Sequence, residues 1–516
     1  MSLGRASAVS LVGLNGSIVD VEADIGGGLP AFILLGLPDA SLAESKDRIR
    51  SAARNSGIEL SPRRITVNLV PASLPKRGSG FDLAIVVAAL AAAGEVRPPR
   101  DAVFLAELGL DGCLRPVQGV LPAVMAAVAA GRSDVVVAAG NRAEAELVSG
   151  ATVHGYAHLS EVLHALGADP ARLVRHHAPP ANPAPAAPDP GSDGPVKPPD
   201  LADLSGQHEA RFALEVAAAG GHHLMMVGPP GAGKTMLAER LPGILPELDD
   251  AEALETTAVH SLAGGAGPLE RLIRRPPFES PHHSATMASL IGGGSGLPRP
   301  GAASRAHRGV LFLDEAPEFS VKVLDALRQP LESGRLTLHR AAGSASYPAR
   351  FQLVLAANPC PCGMSVGKGL LCTCSAQQRR RYFGRLSGPL LDRIDLQVQV
   401  PRVTSLDLAG GSGEDSSTVA GRVAEARRLQ RERLAGFGLN RNAELGRREL
   451  AGELAPERGA AASLGRLMDE GRLTARGHGR VLRIAWTVAD LRGAGRPGTE
   501  DVEIALHLRQ ATGEAA

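Results

Sequence analysis

Two spacings of apolar residues alternate along the chain. Short runs of closely spaced apolar positions, Ser17 to Ile25, Ala31 to Leu35 and Arg64 to Val70, predict strands, and the longer stretches Leu42 to Asn55 and Phe81 to Ala93 predict helices. The alternation continues through Val103 to Leu108 and Asp134 to Ala138, which predicts an α/β or α+β domain ending near Leu166. His176 to Pro199 is rich in Pro and Ala with little apolar bulk. Such a composition buries too little surface to offset its ordering entropy, so it reads as a linker. A second domain opens at Asp200 with Leu204-Ser205-Gly206-Gln207, a helical stretch from His208 to Ala219 and the apolar run Leu224 to Val227. There follow a His/Gly/Pro-rich stretch (Pro276 to Arg308), an apolar strand from Gly309, a helix (Val321 to Glu332), a hairpin-like piece (Arg335 to Arg350) and the strand Phe351 to Ala357. Strands separated by helices predict a parallel sheet covered on both faces. A Gly/Ser/acidic break, Gly410 to Ser417, precedes an Arg-rich tail whose clearest helices are Val419 to Leu434 and Gly479 to Leu491. The expected division is 1–168, a linker at 169–199, a sheet domain at 200–402 and a helical domain at 403–516, with no internal repeat.

Composition narrows the picture. At roughly 150 residues per domain, 516 residues allow about three domains. Hydrophobic residues make up 44% and aromatics 3%, so the core is aliphatic and base stacking on aromatic platforms is not the expected mode of nucleic-acid binding. The formal charge is +1, from 55 Lys+Arg against 54 Asp+Glu, so contact with a polyanion has to come from local patches. Met1 to Gly16 has no charged region followed by an apolar core, and no run reaches the roughly 18 apolar residues of a membrane span. A cytoplasmic protein without a membrane partner is expected. Four of the five cysteines crowd between Cys360 and Cys374, which does not read as a secreted disulfide framework.

The candidate chemistry begins at Gly228-Pro229-Pro230-Gly231-Ala232-Gly233-Lys234-Thr235, directly after an apolar run and before a helical stretch. Glycines let successive backbone N–H groups turn inward around a phosphate chain, Lys234 can reach the β and γ phosphates, and the Thr235 hydroxyl can ligate Mg²⁺. The following helix adds its N-terminal partial charge. In a chain with 61 Gly one such match needs a second element, and Gly309-Val310-Leu311-Phe312-Leu313-Asp314-Glu315 supplies it. It is an apolar strand ending in two carboxylates, Asp314 for the Mg²⁺ shell and Glu315 to polarise an attacking water. Leu353 to Asn358 is a buried-type strand ending in an amide, where Asn358 can sense the γ phosphate or serve as the turn residue before Pro359. In Ser387 to Asp395, Arg393 ends an amphipathic turn. It suits an arginine supplied in trans, worth about 10³ to 10⁵ in rate in phosphoryl transfer, or a surface partner of Asp392 or Asp395.

With these pieces the run from Asp200 onward resembles the magnesium-chelatase-like branch of AAA+ ATPases, and the whole chain outside the linker resembles the bacterial ComM/YifB family. The most specific stretches are Pro281-His282-His283-Ser284, Gly309 to Phe319, Tyr347 to Pro361 and Ser387 to Asp395. The resemblance implies an α/β protein: an AAA+ P-loop parallel sheet with a helical lid, preceded by a Lon-protease-like α+β domain. It implies that Asn358 is sensor 1, Arg393 the arginine finger and Arg476 sensor 2 on the lid, with ATP and Mg²⁺ between the subunits of a homo-hexamer. It also implies two channel-facing insertions, Pro276 to Arg308 in the second helix and Leu336 to Arg350 before sensor 1. His339, Arg340 and Arg350 in the latter suit a grip on a phosphate backbone without base reading, or are incidental charge on a solvated hairpin.

Cys360, Cys362, Cys372 and Cys374 supply four thiols within fifteen positions. Four thiolates suit tetrahedral Zn²⁺, yet one-residue gaps are cramped for a site that usually spaces its pairs by two or more. A redox-sensitive cluster and buried small hydrophobes remain as alternatives, and Cys113 is expected in the core. In the first domain the stretches matching the Lon dyad are Gly78 to Asp82 and Gly119 to Pro122, placing Gly80 and Leu121 where that dyad has its serine and lysine. Without an activated nucleophile the domain reads as a scaffold or docking module. The leading expectation is an ATP-driven DNA translocase or helicase on branched or single-stranded recombination intermediates, in natural transformation or repair. The alternatives are the motor of a metal chelatase, against which stand the first domain and the lack of an Asp-x-Ser-x-Ser motif, and an ATP-dependent protein remodeller.

Overall fold

The computed structural model describes residues 3–36, 40–74, 76, 78–174, 199–264, 269–294, 298–340, 343–365, 370–409 and 413–510, without the side chains of 40–43, 340, 408–409 and 510. Most of the expected linker, 175–198, lies outside the described residues.

Seven strands form the first sheet, in the order Phe32–Leu35, Arg64–Val70, Asn15–Gly26, Gly4–Val12, Val103–Leu105, Asp134–Ala138 and Thr152–Tyr156. Gly4–Val12 and Asn15–Gly26 make an antiparallel hairpin, while the three strands beyond Gly4–Val12 run parallel to it and to one another. The central strand Gly4–Val12 is absent from the sequence expectation, and its composition explains why. Ala, Ser and Gly bury it without a large-apolar alternation: Ser7 and Ser10 are both buried, and the Ser7 hydroxyl is satisfied by Asp20 at 3.1 Å. The helix Val120–Ala129, also unexpected, carries this domain onto the next. Its Val120, Leu121 and Val124 pack with Leu254 and Ala258 of the helix Asp250–Ala263, and the Gly119 N–H donates to the Ser261 carbonyl at 3.2 Å.

The second sheet has five parallel strands in the order Phe278–Glu279, Val310–Leu313, Gln352–Ala357, Leu224–Val227 and Leu396–Gln399. Every residue of the three central strands is buried, which requires cover on both faces and accounts for their continuous apolar spelling. Two expectations are corrected here. Pro276 to Arg308 is not wholly an insertion, because Phe278–Glu279 is the edge strand of the sheet; two residues are too few to show a period. The helix expected over Val321 to Glu332 is two, Val321–Ala326 and Arg328–Ser333, since Pro330 has no N–H and its ring would collide with the carbonyl four residues back.

The C-terminal helices Ser416–Leu434, Arg458–Asp469, Ala475–Leu491 and Thr499–Gln510 form a lid around Trp486, whose indole N–H donates to the Leu454 carbonyl at 3.0 Å. Arg433 lies over the Trp486 ring at 4.2 Å and pairs with Asp490. The lid seats on the helix His208–Gly220 through Arg422 to Glu215 and through Gln430 to the Ala219 carbonyl. Buried His222 ties sheet to lid, bonding Asp395 at 3.2 Å and the Thr487 hydroxyl at 2.8 Å. Burial, the largest single influence, presses the Asp395 carboxyl upward, but the His222 bond together with the charges of His222, His223 and Arg483 outweighs it and holds the carboxyl below its ordinary range.

Candidate nucleotide site

The phosphate loop leaves the strand Leu224–Val227 and enters the helix Lys234–Ile244. Gly231 and Gly233 turn it at φ of +76° and +87°, a conformation in which a Cβ is strained. The Lys234 ammonium folds back over the loop, donating to the carbonyls of Gly228 (2.7 Å) and Pro229 (3.0 Å) and to Asn358 Oδ1 (3.2 Å). Burial lowers its pKa, against the pull of Asp314 and Glu315. Thr235 Oγ1 donates to Asp314 Oδ2 at 2.7 Å, so the two oxygens expected to hold Mg²⁺ already touch; a hydroxyl and a carboxylate are the hard donors this ion takes.

Glu315, one residue past Asp314, stands at φ +48°, a region uncommon outside glycine. Such a backbone costs about 1 to 3 kcal/mol and persists where the surroundings fix it. Here the Glu315 N–H is held by Asp314 Oδ1 at 2.8 Å, and the carboxylate meets His283 Nδ1 at 3.4 Å. Asp314 is thus committed to Thr235, and Glu315 is aimed elsewhere. Sequence reasoning singled out the stretch containing His283 without giving that histidine a role. It read Gln207 only as part of the stretch that opens the domain, with no role at the site: left-handed at φ +53°, Gln207 precedes the helix His208–Gly220 and its amide donates to the Ala232 carbonyl of the phosphate loop. The only local signal was the Gly206-Gln207 pair before a helical stretch.

Arg393 and Arg476 lie in a second cluster. Arg393 pairs with Glu332 and donates to the Pro389 carbonyl, so neither Asp392 nor Asp395 is its partner. Asp392 instead takes Arg476 at 3.1 Å and Arg480 at 3.8 Å. Partial burial, then the charges of Arg328, Arg480 and Arg476, press the Arg393 pKa down. Among the described residues no hydrogen bond or ion pair joins Arg393 or Arg476 to Lys234, Thr235, Asp314, Glu315 or Asn358.

The expected grip is a hairpin, Arg335–Arg340 with Gly343–Pro348, in register from Arg335↔Pro348 to Arg340↔Gly343. His339 is exposed near its turn, and the side chain of Arg340 is outside the described set. Arg350 lies at the foot instead, its N–H donating to His307 Nδ1 and its carbonyl accepting from the Arg308 N–H. At the turn of the first domain's hairpin, a Cβ on Gly13 would come within 2.7 Å of the Ser346 carbonyl, so the two hairpins touch. In that domain Ser79 donates to Glu107 and Lys76 to the Pro71 carbonyl, while Leu121 is buried among apolar side chains. Cys113 is half-buried rather than in the core, because it sits in an edge bridge opposite His158. Cys360, Cys362, Cys372 and Cys374 gather in one place after Asn358.

A phosphate loop, a neighbouring strand ending in paired carboxylates, an amide on the strand between them and a helical lid define a P-loop protein of the AAA+ class. The profile described as "Magnesium chelatase, subunit ChlI" matches residues 200–408, its C-terminal counterpart 413–509, and "Subunit ChlI of Mg-chelatase" 21–141. Competence protein ComM of Haemophilus influenzae is 41% identical over 525 residues, 100% of this chain and 98% of its own. The uncharacterized YifB of Escherichia coli is 39% identical over 99% of this chain and 96% of its own. An uncharacterized protein of Mycobacterium tuberculosis is 49% identical over 99% of both. The chain belongs to the ComM/YifB family of magnesium-chelatase-like AAA+ proteins, a family that implies ATP and Mg²⁺ in general terms. Among the described residues no helix is long and apolar enough to cross a membrane.

Proposed function

We propose that this protein is an ATP-hydrolysing ring motor, a cytoplasmic homo-hexamer that moves along branched or single-stranded DNA. The observation that carries the motor reading is the separation of its two clusters. Lys234, Thr235, Asp314, Glu315 and Asn358 converge on the phosphate loop, whereas Arg393 and Arg476 share a cluster that no hydrogen bond or ion pair among the described residues joins to it, which suits a finger, Arg393, brought by a second copy. Lys234 exchanges its loop carbonyls for phosphate oxygens, Asn358 contacts the terminal phosphate, and Glu315 orients the water. Thr235 and Asp314 would hold Mg²⁺, which neutralises phosphate charge when bound. The domain division and the roles of Asn358, Arg393 and Arg476 are part of this proposal.

DNA as the track is supported by full-length similarity to a protein named for competence and by the exposure of His339 near the turn of the hairpin. With a net charge of +1, affinity has to come from a few placed cations, and six copies of Arg340 would concentrate them in one ring. Binding is then steeply salt-dependent and nearly blind to sequence. Arg340→Ala is expected to keep basal ATPase and lose DNA-stimulated ATPase and branch migration on a four-way junction. The reading is abandoned if wild-type protein with Mg²⁺ and ATP neither binds nor remodels forked or four-way DNA at low salt. The name of the matching profiles favours a second reading, the motor of a metal-insertion complex. Comparing ATPase rates with forked DNA, with a porphyrin-binding partner and with unfolded protein separates the readings.

A further inference from the structure

The four clustered thiols have no part in the motor reading. Cys360 Sγ lies 3.3 Å from Cys362 Sγ and 3.6 Å from Cys372 Sγ; Cys362 and Cys372 are 3.7 Å apart, and all four ligand atoms fall within 4.8 Å of one another. A disulfide needs about 2.05 Å between sulfurs, so these pairs are not bonded. Four thiolates at about 2.3 Å from one tetrahedral Zn²⁺ stand about 3.8 Å from each other, and the cluster lies close to that spacing. Only Cys360 is buried, so filling an apolar core does not explain the other three. Backbone amides are turned on the sulfurs as well: those of Met364 and Thr373 on Cys362, those of Met364 and Ser365 on Cys360. Outer-shell donors of this kind are what metal thiolates use to fix their geometry.

The one-residue gap between Cys360 and Cys362 is accommodated by a reversal of the chain. Gly363 takes φ +73° and its N–H returns to the Cys360 carbonyl at 2.9 Å, which brings both thiols to one side. The same glycine touches the phosphate loop. A Cβ at position 363 would lie 2.5 Å from Pro230 Cδ and 2.8 Å from Pro230 Cγ, so the turn packs directly on the loop. On its other side the segment begins at Asn358, which accepts from the Lys234 ammonium.

We propose that Cys360, Cys362, Cys372 and Cys374 bind one Zn²⁺ and that this knuckle braces the nucleotide loop through the contact of Gly363 with Pro230. Zinc, with no redox chemistry of its own, acts here as a fastener between the loop and the strand that carries Asn358.

The test uses the full chain purified without chelator. Elemental analysis should find about one zinc per chain, and Co²⁺ exchanged into the site should give thiolate charge-transfer bands and the intense visible bands of tetrahedral cobalt. Cys372→Ser with Cys374→Ser should lose the metal. Gly363→Ala strains the left-handed turn and also crowds Pro230, so it should loosen the metal and raise the Kd for a non-hydrolysable ATP analogue roughly tenfold, the scale on which supporting contacts act. Stripping zinc from folded wild-type protein, then restoring Mg²⁺, should raise Kd similarly, with recovery on adding Zn²⁺; this arm stands if the double serine variant fails to fold. Metal-free protein in which all five thiols titrate and nucleotide affinity is normal overturns the site. Zinc-loaded protein whose affinity is unmoved by zinc removal overturns the brace. Neither result depends on whether DNA is the track.

Discussion

Glu315→Gln is expected to bind ATP as the wild type does and to hydrolyse it about 10² to 10⁴ times more slowly, the usual contribution of a positioned acid or base. The sequence assigns the two carboxylates after the strand Val310–Leu313 different roles, Asp314 to Mg²⁺ and Glu315 to water, and their contacts fit that division. Asp314 spends one oxygen on the Thr235 hydroxyl and the other on the Glu315 N–H, leaving it beside the expected Mg²⁺. Glu315 is turned away by its left-handed backbone, and His283 is its carboxylate's ion-pair partner among the described residues, an arrangement that fits the proposed role of taking a proton from water. Glutamine keeps the size and can still bond His283, but it cannot accept that proton, so binding survives and chemistry does not. Lys234→Ala should fail earlier, at binding, because the loop loses the cation that meets the phosphates. Equilibrium binding of a fluorescent ATP analogue together with single-turnover hydrolysis distinguishes the two defects. Wild-type turnover in an assembled Glu315→Gln protein would return the role to Asp314 or to a group not yet considered.

What the sequence shows of this site follows how far apart its parts lie in the chain. Gly228 to Thr235 is contiguous, and its glycines are dictated by the turn they make, so it is readable at once. Asp314 and Asn358 each end an apolar run, and the parallel sheet places the ends of neighbouring strands side by side; the sheet order puts the strand Gln352–Ala357 between the other two. Contacts made across elements have no such signature. Gln207 reaches Ala232 from 25 residues upstream, His283 meets Glu315 across an irregular stretch, and Glu332 holds Arg393 from a helix broken by Pro330. The same limit applies to the fold. Gly4–Val12 lies at the centre of its sheet, but small residues leave no hydrophobic period, and Phe278–Glu279 is too short to have one.

Arg393→Ala is expected to bind ATP normally and to hydrolyse it about 10³ to 10⁵ times more slowly, the range for an arginine that meets transition-state charge. That range corresponds to about 4 to 7 kcal/mol of barrier. Its present partner Glu332 is well exposed, and such surface pairs contribute about 0 to 1 kcal/mol, so releasing Arg393 to a neighbour's phosphates costs little against what it contributes there. The surroundings favour the exchange: Arg328, Arg476 and Arg480 press like charge on Arg393, and these four arginines pair with only three carboxylates among the described residues, Asp325, Glu332 and Asp392, so a triphosphate adds balancing charge. If, as proposed, the finger works only across an interface, an Arg393→Ala chain supplies a sound phosphate loop and a Lys234→Ala chain a sound finger. In rings mixed at random in equal parts, about a quarter of the interfaces pair the two, and hydrolysis should return to that extent although neither variant is active alone. Tagging one variant and recovering the other with it shows that mixed rings have formed. If such rings stay as inactive as their components, or if strictly monomeric wild-type protein hydrolyses ATP at the rate of the oligomer, Arg393 does not act in trans and the site is complete within one chain.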